Sequence, residues 1–116
     1  MFRTKRVYEV PSPQDGVRVL VDRLWPRGLS KEKANVDLWL RDIAPSDVLR
    51  KWFGHEPERW PVFHRKYRAE LASQKAAIQT LRQLEQKHRV VTLVYAASDK
   101  DHNNAVVLVG LLNKSR

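Results

Sequence analysis

The chain contains no cysteine, which excludes disulfides, thiolate metal sites and cysteine nucleophiles. A cysteine-free composition suits a reducing cytosol, and the first ten residues lack the apolar core of a signal peptide. The longest apolar runs, residues 90–97 and 105–112, are far too short to cross a bilayer. These absences predict a soluble, cytoplasmic protein that does not enter the membrane.

Glycine is also scarce, with four in 116 residues. The phosphate-binding loop G-x-x-x-x-G-K-[ST], the dinucleotide motif G-x-G-x-x-G and the nucleophile elbow G-x-S-x-G are all missing. Residues 99–103 imitate the start of a calcium loop, but Asn104 and Gly110 stand where that loop needs glycine and glutamate. No two of the four histidines are four residues apart, as zinc-binding helices require. The sequence therefore predicts neither a cofactor nor a metal site.

Positive charge, in contrast, is in excess: 22 lysine and arginine residues face 13 acidic ones, which gives a net charge of +9. Such a balance favours anionic partners, either small phosphorylated ligands or nucleic acid. The charges are spread along the chain without a long basic tail of the kind that grips nucleic acid. The alternative is that the excess charge only keeps a small protein soluble.

The apolar pattern predicts one α/β domain over residues 1–116, with three layers and a short parallel sheet flanked by helices. Residues 5–10 alternate weakly, whereas 17–24 and 90–97 are nearly continuous apolar runs, as expected of strands covered on both faces. Helical stretches between these runs indicate parallel strands joined by right-handed crossovers.

Capping residues mark the expected helices. Ser30 is placed to begin a short helix, and Ser46 to begin one that runs through Phe53 and ends at Gly54. Region 58–88 fits either one helix or two. Residues 105–112 fit a strand or a buried helix, and the polar residues before them favour the helix.

The carboxyl ends of the two apolar strands predict the position of a site. In open parallel sheets, ligands bind beyond these ends, and polar side chains follow both strands here. Two arginines beside the start of the last helix would form an anion pocket. We therefore expect proton-transfer or orienting roles for one group of residues: Asp22, Asp99, His55 and His102. We expect ligand contacts from a second group: Arg23, Arg27, Tyr95 and Asn103.

Each of these residue types also has a purely structural explanation. Asp22 could pair with an arginine and cap loop amides, and Asp99 could be only a helix cap. Trp25 and Pro26 could simply seal the edge of the sheet, and His55 could be a capping or surface histidine. The functional interpretation rests on how many polar groups fall at the strand ends that the fold rule selects.

Three long segments resemble a known family. Residues 15–28 (DGVRVLVDRLWPRG), 44–71 (APSDVLRKWFGHEPERWPVFHRKYRAEL) and 91–108 (VTLVYAASDKDHNNAVVL) look like the YeaO-like branch of the bacterial family called domain of unknown function 488. The resemblance covers nearly the whole chain and implies a single α/β domain. It brings no established activity, substrate or cofactor with it.

Two functions from different classes follow. The first is an enzyme or binding protein for a small anionic ligand, phosphorylated or nucleotide-like, held at the strand ends. The second is a nucleic-acid-associated or protein-interaction module without catalysis, which would use the basic helical residues Lys51, Arg65, Lys66 and Arg68. The sequence favours the pocket, because acids are interleaved with the basic residues.

Overall fold

A computed structural model describes residues 1–114 and contains a four-stranded parallel sheet. The strands lie in the order β1–β4–β2–β3, and each pairing between neighbours is parallel. The predicted α/β class is confirmed. The strand bounds are β1 (Phe2–Arg6), β2 (Val17–Leu20), β3 (Leu38–Trp39) and β4 (Val91–Tyr95).

Within residues 1–114, five α-helices accompany the sheet: α1 (Lys31–Ala34), α2 (Asp47–Phe53), α3 (Trp60–Leu71), α4 (Lys75–His88) and α5 (Asn104–Lys114). The predicted caps are confirmed, because the side chains of Ser30 and Ser46 accept hydrogen bonds from backbone amides in the first turns of α1 and α2. Gly54 ends α2 in the left-handed conformation.

The first strand differs from the expectation of residues 5–10. It runs from Phe2 to Arg6, and only Phe2 of its five residues is buried. It lies at the edge of the sheet, where charged residues discourage pairing with other chains, so it lacks the apolar alternation that marks a strand. The second strand is also shorter than residues 17–24, because it ends at Leu20 and the chain then turns away into the polar loop.

The two regions that the sequence left open are both helical. Residues 104–114 form α5, the favoured alternative, and the apolar side chains of this helix pack into the main core. Region 58–88 holds two helices, α3 and α4, because the chain turns at residues 72–74. None of the helices described within residues 1–114 is long and apolar enough to cross a membrane.

The hydrophobic core has two unequal parts, one on each face of the sheet. Alternate residues of β2 and β4, such as Val19 and Leu93, join the larger cluster with side chains of α2 to α5. Their neighbours Leu20 and Val94 face the smaller cluster, which α1 and the loops around it cover. This second helical layer is thin, since α1 has only four residues.

The strand order fixes where a ligand can bind. Because β4 lies between β1 and β2, the carboxyl ends of these three strands are adjacent at one edge of the sheet. Arg6, Leu20 and Tyr95 are the last residues of the three strands, so the segments that follow them share one surface.

Candidate functional site

A cavity of about 730 Å³ opens at the carboxyl ends of β1, β4 and β2. The loops that follow these three strands form part of the cavity wall. The end of α2, the loop before α5 and the first residue of α5 complete it. The side chains that concern the chemistry are Arg6, Tyr8, Asp22, Arg23, Arg27, Arg50, Lys51, His55, Ser98, His102, Asn103 and Asn104. Leu24, Trp25, Phe53 and Phe63 supply the large apolar part of the wall.

The cavity wall is strongly cationic. It contains five lysine or arginine side chains but a single carboxylate, that of Asp22. Two histidines, His55 and His102, add further positive charge when they are protonated. Positive charges collected in one concave surface raise the local concentration of anions.

Two of the arginines are held in place by backbone carbonyls. Arg6 donates from Nε to the carbonyl oxygen of Ala97 (2.8 Å) and from Nη2 to that of Ala96 (3.1 Å). Arg23 uses the same two nitrogens, donating to the carbonyl oxygens of Pro45 (3.1 Å) and Ala44 (3.3 Å). Carbonyl partners fix the orientation of a guanidinium without neutralising its charge.

Arg23 has in addition a long contact to a carboxylate, that of Asp47, at 3.8 Å. Arg50 reaches the same Asp47 oxygen from Nη2 at 3.2 Å, so one exposed acid is shared between two arginines. The Nε atom of Arg50 is buried and, within residues 1–114, has no hydrogen-bond partner. Arg27 and Lys51 pair with no carboxylate of the described chain. Most of the positive charge of the cavity is therefore uncompensated.

Asp22 links three elements of the fold. One carboxylate oxygen accepts the Ala96 amide (2.8 Å), and the other accepts Nδ2 of Asn104 (3.2 Å), which also donates to the Val21 carbonyl (2.8 Å). Burial raises the pKa of Asp22, and the Ala96 amide, the Asn104 amide and the charge of His55 counteract part of that rise. The carboxylate thus ties the end of β2 to the end of β4 and the start of α5.

His55 comes to the cavity through an unusual stretch of backbone. Gly54 and His55 both have left-handed conformations, with φ of 51° and 60°, which turn the chain sharply after α2. Histidine is among the few non-glycine residues that adopt this conformation with some frequency. The imidazole lies beside the Phe53 ring, with ring centroids 6.3 Å apart.

His102 and Asp99 form a hydrogen-bonded pair at the other side of the cavity. His102 Nδ1 is 2.9 Å from one carboxylate oxygen of Asp99, and the other oxygen accepts the amides of Asp101 (2.9 Å) and His102 (3.1 Å). The hydrogen bond from His102 and these two amides lower the pKa of Asp99. His102 lines the cavity, whereas Asp99 lies behind it.

Tyr95 and Asn103 are structural neighbours of this pair. Tyr95 is buried in the main core and does not line the cavity. Burial and the charge of Glu9 raise the pKa of Tyr95, and a hydrogen bond with the Asn103 side chain opposes the rise. Asn103 caps α5, because its Oδ1 accepts the Val106 amide (3.0 Å), while its Nδ2 donates to the carbonyl oxygen of Asp99 (2.9 Å).

The structure thus separates the eight predicted site residues into two groups. Six of them line the cavity: Asp22, Arg23, Arg27, His55, His102 and Asn103. Tyr95 and Asp99 do not line the cavity: Tyr95 points into the core from β4, and Asp99 lies behind His102 in the loop that follows. The predicted roles of all eight in binding or proton transfer stay predictions.

Sequence reasoning missed several residues of the wall, chiefly Arg6, Tyr8, Arg50 and Lys51. The predicted strand at residues 5–10 has Arg6 in its interior, whereas β1 ends at Arg6. The correct bound would have identified Arg6 as a residue at the carboxyl end of a strand. The Arg6 guanidinium lies over the Tyr8 ring, 5.0 Å from its centroid, and Tyr8 donates to the Arg27 carbonyl (2.9 Å). Arg50 and Lys51 lie in the last turn of α2, and only the packing of α2 against α3 carries them to the cavity.

Trp25 has the structural role that the sequence allowed for it. It meets Trp39 of β3 edge-on, with centroids 5.5 Å apart, and its indole donates to the Leu29 carbonyl (2.7 Å). It therefore covers the edge of the sheet and fixes the loop that carries Arg27. Within residues 1–114, no three histidine or acidic side chains are grouped so that they could hold a metal ion.

Comparisons with known proteins agree on one family. The chain is 46% identical over 111 residues to uncharacterised proteins of Mycobacterium bovis and Mycobacterium tuberculosis, which covers 96% of this chain and 92% of each relative. It is 41% identical over 111 residues to the uncharacterised protein YeaO of Escherichia coli, with 96% of both chains covered. No solved structure matches. A family described as the inactive DUF488-N3 subclade matches residues 1–116, and the chain belongs to this YeaO-like DUF488 family.

Proposed function

We propose that the protein binds a small anionic ligand, phosphorylated or nucleotide-like, in the cavity at the carboxyl ends of the sheet. The observation that carries this proposal is the charge of the wall, with five cationic side chains and one carboxylate. That carboxylate, Asp22, is already engaged by the Ala96 amide and the Asn104 side chain. Asp47 is shared between Arg23 and Arg50, so most of the positive charge of the wall is left for an anion to balance.

The hydrogen bonds of Arg6 and Arg23 support the same conclusion. Each guanidinium is anchored through Nε and Nη2, so little side-chain entropy is lost when the remaining N–H groups meet a ligand. Charge-assisted hydrogen bonds of this kind contribute about 1.5–3 kcal/mol when water is excluded. Pre-oriented donors are the arrangement that favours tight anion binding.

The size of the cavity favours an organic ligand over a bare inorganic ion. Pockets for small molecules range from about 300 to 1,000 Å³, and this one has about 730 Å³. The apolar part of the wall, which includes Leu24 and Trp25, offers surface to a sugar or a base. A phosphorylated metabolite or nucleotide meets both requirements, and the cytoplasm is the compartment that we propose for the protein.

We favour binding over catalysis. The family to which the chain belongs is described as inactive. Asp22, the one acid of the wall, is held between two donors and has a structural task. The proposed function is therefore recognition of the ligand, without turnover.

Ligand-induced thermal shifts and calorimetry would test the proposal. We expect phosphate, ribose 5-phosphate and adenosine monophosphate to stabilise the protein, and ribose and adenosine to have much weaker effects. Arg27→Gln should reduce the response, because this exposed arginine of the wall has no ion pair with any residue from 1 to 114. Lys75→Gln removes the same charge from the start of α4, outside the cavity, and should leave the response intact. Equal responses from both variants, or none from the native protein, would refute the proposal.

One observation favours the nucleic-acid alternative. Trp52 of α2 is 36% exposed, and two cations lie over its ring: Arg59 at 5.3 Å and Lys66 at 5.0 Å. Aromatic rings next to cations are common in surfaces that bind single strands. Binding of labelled single-stranded oligonucleotides that weakens steeply with salt and is lost in Trp52→Ala would support this alternative. No binding at low salt would eliminate it.

A further inference from the structure

The two ring nitrogens of His102, a residue of the cavity wall, have different environments. Nδ1 is hydrogen-bonded to Asp99 at 2.9 Å, and Nε2 has no hydrogen-bond partner in the described part of the chain. The ring also meets Trp60 of α3 edge-on, with centroids 5.1 Å apart. A hydrogen bond on one nitrogen and an aromatic contact leave the imidazole little freedom to turn.

Asp99 is itself firmly held, although its side chain is partly exposed. The amides of Asp101 and His102 occupy one of its carboxylate oxygens, so the other is left for Nδ1. Its carbonyl oxygen accepts from Asn103, which caps α5. The orientation of His102 is therefore set by the same network that begins α5.

We propose that His102 contacts the bound anion through Nε2 and that Asp99 is the positioning residue that holds the ring for this contact. The inference rests on the proposed function, because it names a specific contact and its regulation within the same cavity. A carboxylate that accepts from Nδ1 selects the tautomer in which Nε2 of the neutral ring carries no proton. Nε2 of the neutral ring is then an acceptor, and it becomes a donor only when the ring is protonated.

The consequence is a pH-dependent affinity. A fully ionised anion such as sulfate offers acceptors only, so Nε2 repels it when the ring is neutral and binds it when the ring is charged. Histidine rings in proteins generally change charge between about pH 5 and 8. Affinity for such an anion should therefore rise as the pH falls, and binding should draw a proton onto His102.

Other ionisable groups surround His102 and must be separated from it. Asp99, Lys100 and Asp101 lie on its own loop, and His64 lies across Trp60. The ionisable groups of the cavity wall are Asp22, His55, Arg6, Arg23, Arg27, Arg50 and Lys51. Only His55 is a second imidazole of the wall. His55→Asn is the matched control, because asparagine also tolerates the left-handed backbone at that position.

Sulfate is the probe for the test, since it stays a dianion over the whole pH range and any pH dependence belongs to the protein. The native protein should bind sulfate about threefold to tenfold more weakly at about pH 8 than at about pH 6. His102→Phe keeps a ring against Trp60 and should remove most of this difference. His55→Asn should keep the pH dependence of sulfate affinity that is due to His102.

Asp99→Asn distinguishes positioning from a merely structural role. The asparagine oxygen can still accept the two backbone amides, but its amide group donates to Nδ1 where the carboxylate accepted. The neutral ring should then carry its proton on Nε2, as when an aspartate–histidine pair is broken in the same way elsewhere. Proton–nitrogen NMR correlations of the ring should show this tautomer change, and sulfate binding should depend less on pH.

Two results separate this inference from the proposed function. If sulfate binding is weakened by Arg27→Gln, while His102→Phe keeps the native pH profile and sulfate leaves the His102 nitrogens unperturbed, the inference is wrong and the anion site stands. If neither sulfate nor any phosphorylated ligand of the thermal-shift test binds, the proposed function fails and the inference fails with it. Perturbation of Nε2 by sulfate, together with the flattened profile of His102→Phe, would support the inference.

Discussion

The ion pair between Asp15 and Arg18 is buried on the thin side of the sheet. Arg18 is 1% exposed and donates to Asp15 (2.7 Å) and to the carbonyl oxygens of Asn35 (3.0 Å) and Ala34 (2.9 Å). It thereby binds the end of α1 to β2. We expect Arg18→Met to lower the free energy of unfolding by about 1–3 kcal/mol, because two carbonyls lose their donor while Asp15 keeps Lys5 and the Ser12 amide. Chemical denaturation measures this loss.

The matched control is Lys87→Met, which removes an exposed cation from the last turn of α4. Surface substitutions of this kind change stability by about 0.5 kcal/mol or less. A comparable loss in both variants would show that Arg18 contributes no more than a surface charge.

The pKa values of two carboxylates, Asp15 and Asp22, are shifted in opposite directions. Burial alone would raise the pKa of Asp15, but the Ser12 amide, Lys5 and Arg18 outweigh it and lower the pKa. For Asp22, burial dominates and raises the pKa. Carbon NMR of the two carboxyl groups against pH should place one below and the other above the ordinary aspartate value.

The two shifts have opposite effects on stability. A lowered pKa means that Asp15 stabilises the fold at neutral pH and that this contribution is lost as the pH falls below about 4. A raised pKa means that the contribution of Asp22 is present at low pH and is lost as the pH rises through its folded pKa. Asp15→Asn should therefore flatten the acid limb of the stability curve. An unchanged acid limb would contradict the role assigned to Asp15.

At the scale of elements, the turn into β2 depends on one glycine. Gly16 has a φ of 62°, and a Cβ at this position would lie 2.2 Å from the Val90 carbonyl oxygen. Gly28 also has a positive φ, of 74°, but nothing lies within 4 Å of its Cβ position. Gly28→Ala should cost about 1–2 kcal/mol for the backbone conformation alone. Gly16→Ala should cost clearly more, because the start of β4 must also move.

Thermal or denaturant unfolding of these two variants gives the comparison directly. Gly16 has a ψ of −135°, outside the left-handed helical region, so the larger loss at residue 16 combines its backbone conformation with its close approach to residue 90. Equal losses would mean that the turn relaxes freely and does not constrain the register of β2 against β4.

Which elements could be predicted from the sequence depended on how much of each is buried. The strand at 91–95 is buried at all five positions, so its apolar run identified it. The edge strand β1 has one buried residue and was predicted out of place, at residues 5–10, whereas β3 has only two residues in all and was not predicted. The helix starts at Ser30 and Ser46 were predictable, because a cap is a local interaction.

The residues of the candidate site also differ in how far they could be predicted from the local sequence. Asp22, Arg23 and Arg27 could be placed at the cavity because they directly follow a recognisable strand. Arg50 and Lys51 could not, since their position depends on how α2 packs against the rest of the fold. The hydrogen bonds of Asp22 to Ala96 and Asn104 span more than 70 residues of sequence, and no local pattern contains them.

For the whole molecule, the net charge of +9 has two opposing effects: it lowers the stability of the ligand-free protein and favours the binding of anions. Like charges gathered in a cavity repel one another in the free protein, and an anion that binds only the folded state stabilises it by mass action. The double variant Arg27→Gln/Lys51→Gln should therefore melt at or above the native temperature without ligand, yet gain less from sulfate. Differential scanning calorimetry at constant ionic strength measures both quantities.

The comparison variant is Lys75→Gln/Lys87→Gln, which removes two charges from α4 and none from the cavity. Both double variants have the same net charge, so non-specific screening by sulfate affects them equally. Only a localised site predicts that the α4 variant keeps the native gain in melting temperature while the cavity variant loses part of it. If sulfate raises the melting temperature of the two variants equally, its effect depends on the overall charge of the protein, and the cavity is not the anion-binding site.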